Sequence, residues 1–197
     1  VTETVNGVEF SLTRSSFWQV HERAAETLFR AVGDAIDSAR WDPEAANLDL
    51  YGGVGLFAVS LAKKGGPTTH VVSVEADKEA SHHTTVNLSS WPNAEAVTAD
   101  VKRFVHQKAS TIRAGKPSPY EKSTVVLDPP RSGAGAEVIY ALVAMSPAQI
   151  VYVACDPVAF ARDEKMLAEA GYRVTSLRAF DLFPHTHHVE MVVGFSR

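Results

Sequence analysis

Apolar positions along this chain follow two alternating rhythms. Short runs rich in Val, Leu, Ile and Tyr recur at Leu48 to Tyr51, Val71 to Val74, Ala94 to Thr98, Val125 to Leu127 and Ile150 to Val153. Stretches of helical period separate them, at about 56 to 64, 78 to 90, 101 to 114, 134 to 145 and 157 to 170. Strands alternating with helices predict an α/β fold with a mostly parallel sheet covered on both faces, since parallel neighbours need a crossover connection. The rhythm changes near the end, where Tyr172 to Leu177 and Val189 to Phe195 are strand-like with no helical period between them. Such a pair is expected to be antiparallel. Ahead of the first run, Val5-Asn6-Gly7-Val8 is a hairpin signal, and Ala24, Leu28, Ala31, Val32 and Ala35 mark one face of a helix over about 20 to 40. Residues 1–46 are therefore expected to form a hairpin and helix appendage, and residues 47–197 the α/β domain.

In such sheets ligands bind at the carboxyl ends of the strands, so the residues at strand ends carry the candidate chemistry. After the first strand comes Tyr51-Gly52-Gly53-Val54-Gly55-Leu56, a glycine turn opening a helix. Gly53 and Gly55 would let the backbone approach a ligand and present amides to it. The turn lacks the lysine and hydroxyl of a P-loop and the third glycine of a dinucleotide fingerprint. Glu75, 20 positions after Gly55, closes the second strand where a carboxylate accepts hydrogen bonds from ribose hydroxyls, and Asp100 and Asp128 close the next two. One such carboxylate is readily explained as a helix cap, whereas three in succession point to a polar cleft. In Ile150-Val151-Tyr152-Val153-Ala154-Cys155-Asp156-Pro157 a buried strand runs into an Asp cap with Pro at the first helical position. Cys155 sits at that junction, where a helix N-terminus favours the thiolate; a small buried hydrophobe is the competing reading.

Composition narrows the setting. The 197 residues, 45% hydrophobic and 21% charged, suit one globular domain. A lone cysteine excludes an intramolecular disulfide and a cysteine-built metal site, and fits a cytoplasmic location. No run reaches membrane-span length, and Val1-Thr2-Glu3-Thr4 carries no signal region. The absence of an initiator methionine suggests a piece of a longer protein. The net charge of −4 offers a polyanion no bulk attraction, and Lys102, Arg103, Lys108, Arg113, Lys116 and Lys122 are a thin candidate for a basic face.

Five βα units, a terminal antiparallel pair and strand-end carboxylates resemble the class I S-adenosylmethionine-dependent methyltransferase fold, Rossmann-like, with a seven-stranded sheet whose last strand is antiparallel. Three further motifs sharpen this: Leu127-Asp128-Pro129-Pro130-Arg131-Ser132-Gly133, Ala154-Cys155-Asp156-Pro157 with Ala161-Arg162-Asp163, and Phe183-Pro184-His185-Thr186-His187-His188-Val189-Glu190. In that order they are similar to the catalytic domain of the RNA uracil-5-methyltransferase family, the 5-methyluridine methyltransferases of tRNA and rRNA. The resemblance runs from Phe17-Trp18-Gln19-Val20 to Glu190.

What the resemblance implies is an S-adenosylmethionine-dependent enzyme that methylates carbon 5 of a uridine. Carbon 5 of uracil is a weak nucleophile. A thiolate adding to carbon 6 makes the ring an enolate, and a base must later remove the carbon 5 proton. By resemblance Cys155 is the nucleophile, Glu190 the base, and Asp128 lies between cofactor and target base. Gln19, Tyr51, Glu75 and Asp128 match cofactor-contacting positions, and Asp100 is an adenine contact. There are departures. Gly52 and Leu56 stand where the family usually has Cys and Asn, removing a side-chain contact to the cofactor. Asp156 replaces a common Asn, and its charge would raise the thiol pKa if ionised beside it. His185, His187 and His188 are expected to order Glu190 or line the base pocket rather than hold a metal. The family's β-barrel RNA-binding domain and cysteine-ligated iron–sulfur cluster do not precede the fold here, so the RNA substrate is expected to need a further binding module. No membrane partner is expected, and the chain is expected to be a monomer. Methylation of cytosine or another RNA base, and a noncatalytic RNA-binding module, are the alternatives.

Overall fold

A computed structural model of the chain describes residues 1–13, 16–19, 21–182 and 189–197. Strands β1 (Thr2–Val5) and β2 (Val8–Ser11) form a hairpin whose turn residues Asn6 and Gly7 have φ of 49° and 76°. These two left-handed positions match the type of turn that follows the strands' own twist, which explains the Asn-Gly signal. Helix α1 (Ala24–Ala35) follows. Then come β3 (Asn47–Leu50), α2 (Leu56–Gly65), β4 (Val71–Glu75), α3 (Lys78–Asn87), β5 (Ala94–Thr98), α4 (Val101–Arg113) and β6 (Thr124–Leu127). The chain ends with α5 (Gly135–Met145), β7 (Gln149–Ala154), α6 (Pro157–Glu169), β8 (Arg173–Phe180) and β9 (Glu190–Ser196).

The large sheet has the order β5-β4-β3-β6-β7-β9-β8. Its first five strands pair in parallel, while β9 is antiparallel to both β7 and β8. Side chains alternate across it as strand geometry demands. Val151 and Val153 join one buried cluster with α1 and α2, whereas Ile150, Tyr152 and Ala154 join the other with α4, α5 and α6. Val5, Phe10 and Leu12 of the hairpin region belong to the first cluster too. Among the described residues no helix is long and apolar enough to cross a membrane.

Most boundaries fall within about three residues of the expected ones, and two of the differences have a visible cause or consequence. The first helix occupies Ala24–Ala35 rather than 20 to 40, because Arg23 supplies no side-chain cap and Ile36 turns extended to bury itself in the core. Tyr51 lies beyond the end of β3, in a left-handed conformation with φ of 63°. There the chain leaves the strand and turns toward the cleft.

Candidate active site

A cleft of about 520 Å³ opens at the carboxyl edge of the central strands, lined by Phe17, Gln19, Tyr51, Gly53, Glu75, Asp128, Pro129, Pro130, Arg131, Cys155 and Glu190. The topology explains the convergence. Ala154 of β7 stands opposite Met191 of the antiparallel β9, so Cys155 and Glu190 are the next residues outward on neighbouring strands. Thirty-five positions in sequence thereby come together just beyond the last pair of the β7–β9 ladder. Asp128 follows β6, the other neighbour of β7.

These three groups share their electrostatics. Burial pushes the Cys155 thiol above its ordinary value, and the Glu190 and Asp128 carboxylates push it further, against opposition from the Arg131 cation. Burial also raises Glu190, 7% exposed, while Arg131 pulls it down. Asp128 is raised well above the usual carboxylate range by burial, then by Glu190 and Asp49. The sequence led to two other expectations for the thiol. Its place before α6 does not leave it acidic, since burial first and then the Glu190 and Asp128 carboxylates push it up. Nor is Asp156 a cause of its elevation. Oδ1 of Asp156 instead accepts the Val158 and Ala159 N–H groups at 2.9 and 2.8 Å, capping α6.

On the cofactor side, Glu75 accepts the N–H of Gly53 at 2.9 Å on one oxygen and that of Asp77 at 2.8 Å on the other. Each oxygen retains a lone pair for a ligand hydroxyl. Space is open where a side chain at Gly53 would stand, so a ligand can approach that backbone. Tyr51 faces the same space, its hydroxyl pushed up to about 12 by burial and by Asp100 and Asp163. Two expected cofactor residues fall elsewhere. A Cβ on Gly55, whose φ is 90°, would come within 2.9 Å of the Thr84 methyl, so this glycine serves the packing of α2 on α3. Asp100 lies two residues past the end of β5, caps α4 through the Arg103 N–H at 2.9 Å, and borders a separate groove beside Phe104 and Gln107. Asp100 thus caps α4, whereas Glu75 and Asp128 face the cleft. His185, His187 and His188 lie outside the described residues.

Other residues of the site were not singled out from sequence. Phe17, 72% exposed, stands at the cleft mouth, and Arg131 is the one cation lining it among the described residues. Asp49 is fully buried beneath the glycine turn. Its Oδ2 accepts from Ser73 Oγ at 2.9 Å and from the Ala58 N–H at 3.0 Å, while its Oδ1 has no partner. Burial raises it to about 7. This pair also accounts for Gly52, since a Cβ there would lie 2.0 Å from Ser73 Oγ and 2.9 Å from Asp49 Oδ2. An acid between Leu48 and Leu50, in a strand followed by a glycine turn, was the signal available for Asp49.

Sheet order, helices on both faces and a carboxylate-lined cleft at the strand ends define a class I S-adenosylmethionine-dependent methyltransferase fold. The comparisons agree with this architecture. The chain matches the family model described as tRNA (Uracil-5-)-methyltransferase over residues 5–197, and it belongs to that family. It is 40% identical over 192 residues to an uncharacterized RNA methyltransferase of Streptomyces avermitilis, covering 98% of this chain and 42% of the relative. A Bifidobacterium longum uncharacterized RNA methyltransferase is 37% identical over 202 residues, covering 98% of this chain and 44% of that protein. The crystal structure of Pyrococcus abyssi tRNA (uracil-54, C5)-methyltransferase in complex with S-adenosyl-L-homocysteine superposes with a TM-score of 0.78 at 31% identity, over 99% of this chain and 44% of the other. M. jannaschii TYW2 in complex with AdoMet, at 15% identity and a TM-score of 0.59 over 100% of this chain and 85% of that one, shares the fold. The chain thus spans about two-fifths of the length of the curated relatives it matches.

Proposed function

We propose that this chain is the catalytic part of an S-adenosylmethionine-dependent RNA methyltransferase that methylates carbon 5 of a uridine, in tRNA or rRNA, through a covalent cysteine adduct in the cytoplasm. The observation that carries the reading is that Cys155, the residue after β7, and Glu190, the first residue of the antiparallel neighbour β9, face one cleft with Asp128. A binding module has no use for a nucleophile and a base at that spacing.

The residues fit the cofactor. A cleft of about 520 Å³ lies within the roughly 300–1,000 Å³ of small-molecule sites, with Glu75 placed for a ribose and Gly53 open to close approach. Gln19, Tyr51, Gly53, Glu75 and Asp128 would hold it; Gly55 would act through packing, and Asp100 from the neighbouring groove. When bound, S-adenosylmethionine supplies an electrophilic methyl group. The Cys155 thiol gives its proton to solvent, its Sγ bonds to carbon 6 of the uracil, and the electron pair of the carbon 5–carbon 6 double bond moves onto carbon 5 and the carbonyl at carbon 4 as an enolate. The elevated thiol makes this proton loss costly at neutral pH, which Arg131 offsets in part. After methyl transfer Glu190 removes the carbon 5 proton, and the carbon–sulfur bond breaks to restore the ring. Burial raises the basicity of this carboxylate, which suits it to the step.

The test is RNA carrying 5-fluorouracil, which lacks the removable proton. With cofactor present the protein should become covalently joined to it on a denaturing gel. Cys155→Ala should form no adduct and lose turnover by ~10³-fold or more, whereas Glu190→Gln should retain a complex with unmodified RNA because release slows by about 10²–10⁴-fold. Methylated product without any covalent complex, or with the methyl group on a base other than uracil, would remove the assignment.

A further inference from the structure

Asp163 lies on α6 two turns after Cys155, is 0% exposed, and takes no part in the chemistry above. Its Oδ2 accepts three hydrogen bonds, from the Ala134 N–H at 2.7 Å, the Gly135 N–H at 3.2 Å and the Tyr152 hydroxyl at 2.7 Å. Its Oδ1 accepts from Arg162 Nε at 3.0 Å and Nη2 at 2.8 Å, and the same Nη2 donates to the Ser132 carbonyl at 2.8 Å. Arg162 and Asp163 thus grip the loop after β6 at Ser132, Ala134 and Gly135, on both sides of Gly133. That glycine has φ of 77°, and a Cβ on it would lie 2.6 Å from Arg162 Nη2 and 2.7 Å from Asp163 Oδ2. The contact is therefore closed to any side chain. The gripped segment starts one residue after Arg131, and its near end is braced by the Gly133 N–H on the Pro130 carbonyl at 2.8 Å.

From this geometry we infer that Asp163, with Arg162, is a positioning residue that holds the Pro129-Pro130-Arg131 segment against the base of α6, and so keeps the Arg131 cation beside Cys155. Both ends of the contact belong to the nucleophile's neighbourhood. α6 starts two residues after Cys155, and Tyr152, the third partner of Asp163, lies three residues before it on β7. A buried carboxylate with five donors is over-determined, and losing it would leave the Tyr152 hydroxyl and two loop amides without an acceptor. The role rests on the assignment of Cys155 as the reactive thiol, but its test needs neither cofactor nor RNA.

Because Cys155 is the sole cysteine, alkylation by iodoacetamide reports on it alone. Among the described residues the charged groups that face it are Glu190 from β9, Asp128 and Arg131 from the segment after β6, with Asp156 engaged in capping α6. The rate of alkylation should be followed against pH for the parent protein, Asp163→Asn, Gly133→Ala and Arg131→Ala, each checked by circular dichroism for folding. Losing the cation should move the midpoint of the profile upward in Arg131→Ala. Asp163→Asn and Gly133→Ala, which disturb the grip from opposite sides, should move it in the same direction. Asp163→Asn combined with Arg131→Ala should move it no further than Arg131→Ala alone. Folded Asp163→Asn and Gly133→Ala proteins with the parent profile would overturn the inference, as would an Arg131→Ala profile that does not move. Failure of the methyltransferase reading would appear instead as absent turnover with these shifts intact.

Discussion

Asp49 has the most to say about single residues, because its carboxyl is fully buried with one oxygen unpartnered. Its folded value of about 7 stands above the ordinary 3.8, so between those limits the folded protein holds a proton that the unfolded chain has released. Its contribution to stability is then full below about pH 4, declines as pH rises toward 7, and stays lost above that. Asp49→Asn keeps an acceptor for Ser73 and Ala58 and cannot ionise. Urea melts should show the parent protein losing about 1–4 kcal/mol relative to Asp49→Asn between pH 4 and pH 8. Parallel curves would mean that Asp49 does not carry the proton. Asp128 and Glu190 are shifted the same way. The motifs of the family resemblance drew attention to Cys155, Glu190 and Asp128, and the structure lines one cleft with all three. Asp49, inside a strand, drew no attention, and Asp163 was visible only as part of the Ala161-Arg162-Asp163 motif without its contacts, since their roles depend on partners 24 and 29 positions away.

Among the elements, α3 shows why a helix pattern can be visible while its purpose is not. Its buried face carries Ser81, Thr84 and Asn87 as well as Ala80, so hydrophobic period alone marks it weakly. The polar residues hold the glycine turn from behind. Thr84 Oγ1 donates to the Gly53 carbonyl at 2.9 Å, and Asn87 Nδ2 donates to the Val54 carbonyl at 2.8 Å. Asn87 also binds both backbone groups of Ser11, its Oδ1 accepting the N–H at 2.7 Å and its Nδ2 reaching the carbonyl at 3.1 Å. One side chain thus ties the hairpin to the cofactor turn, and the segment after the hairpin carries Phe17 and Gln19 to the cleft. Asn87→Ala strands a buried N–H and two carbonyls, and should cost about 2–4 kcal/mol in a denaturant melt. It should also weaken S-adenosylhomocysteine binding in calorimetry; full affinity would confine Asn87 to a stability role. The strand rhythm made the parallel sheet and the final antiparallel pair legible. That β9 enters between β7 and β8 is a nonlocal pairing without a local signature, and it is this insertion that sets Glu190 opposite Cys155.

For the molecule as a whole, the distribution of charge decides how it meets a polyanion. Lys102 is paired with Glu137 and Arg162 with Asp163, and Arg30, Arg40, Lys165 and Arg178 each have a carboxylate partner. Arg103 and Lys108 lie along α4, which starts at the cleft edge of the sheet and leads away from it for 13 residues. At 1.5 Å per residue that is about 20 Å, so Arg113, Lys116 and Lys122 cluster toward the opposite edge. Among the described residues the cleft itself presents Glu75, Asp128 and Glu190 against the one cation Arg131. A uridine extruded into it brings flanking phosphates toward carboxylates, and unstacking alone costs a few kcal/mol. The affinity of this chain for single-stranded RNA should therefore depend weakly on salt. With about one to three phosphates neutralised, the slope of log K against log salt concentration should be about −0.7 to −2 in filter binding, and Arg131→Ala should flatten it by about 0.7. A slope steeper than about −4 would mean that a basic surface engages RNA in a way this arrangement of charges does not provide.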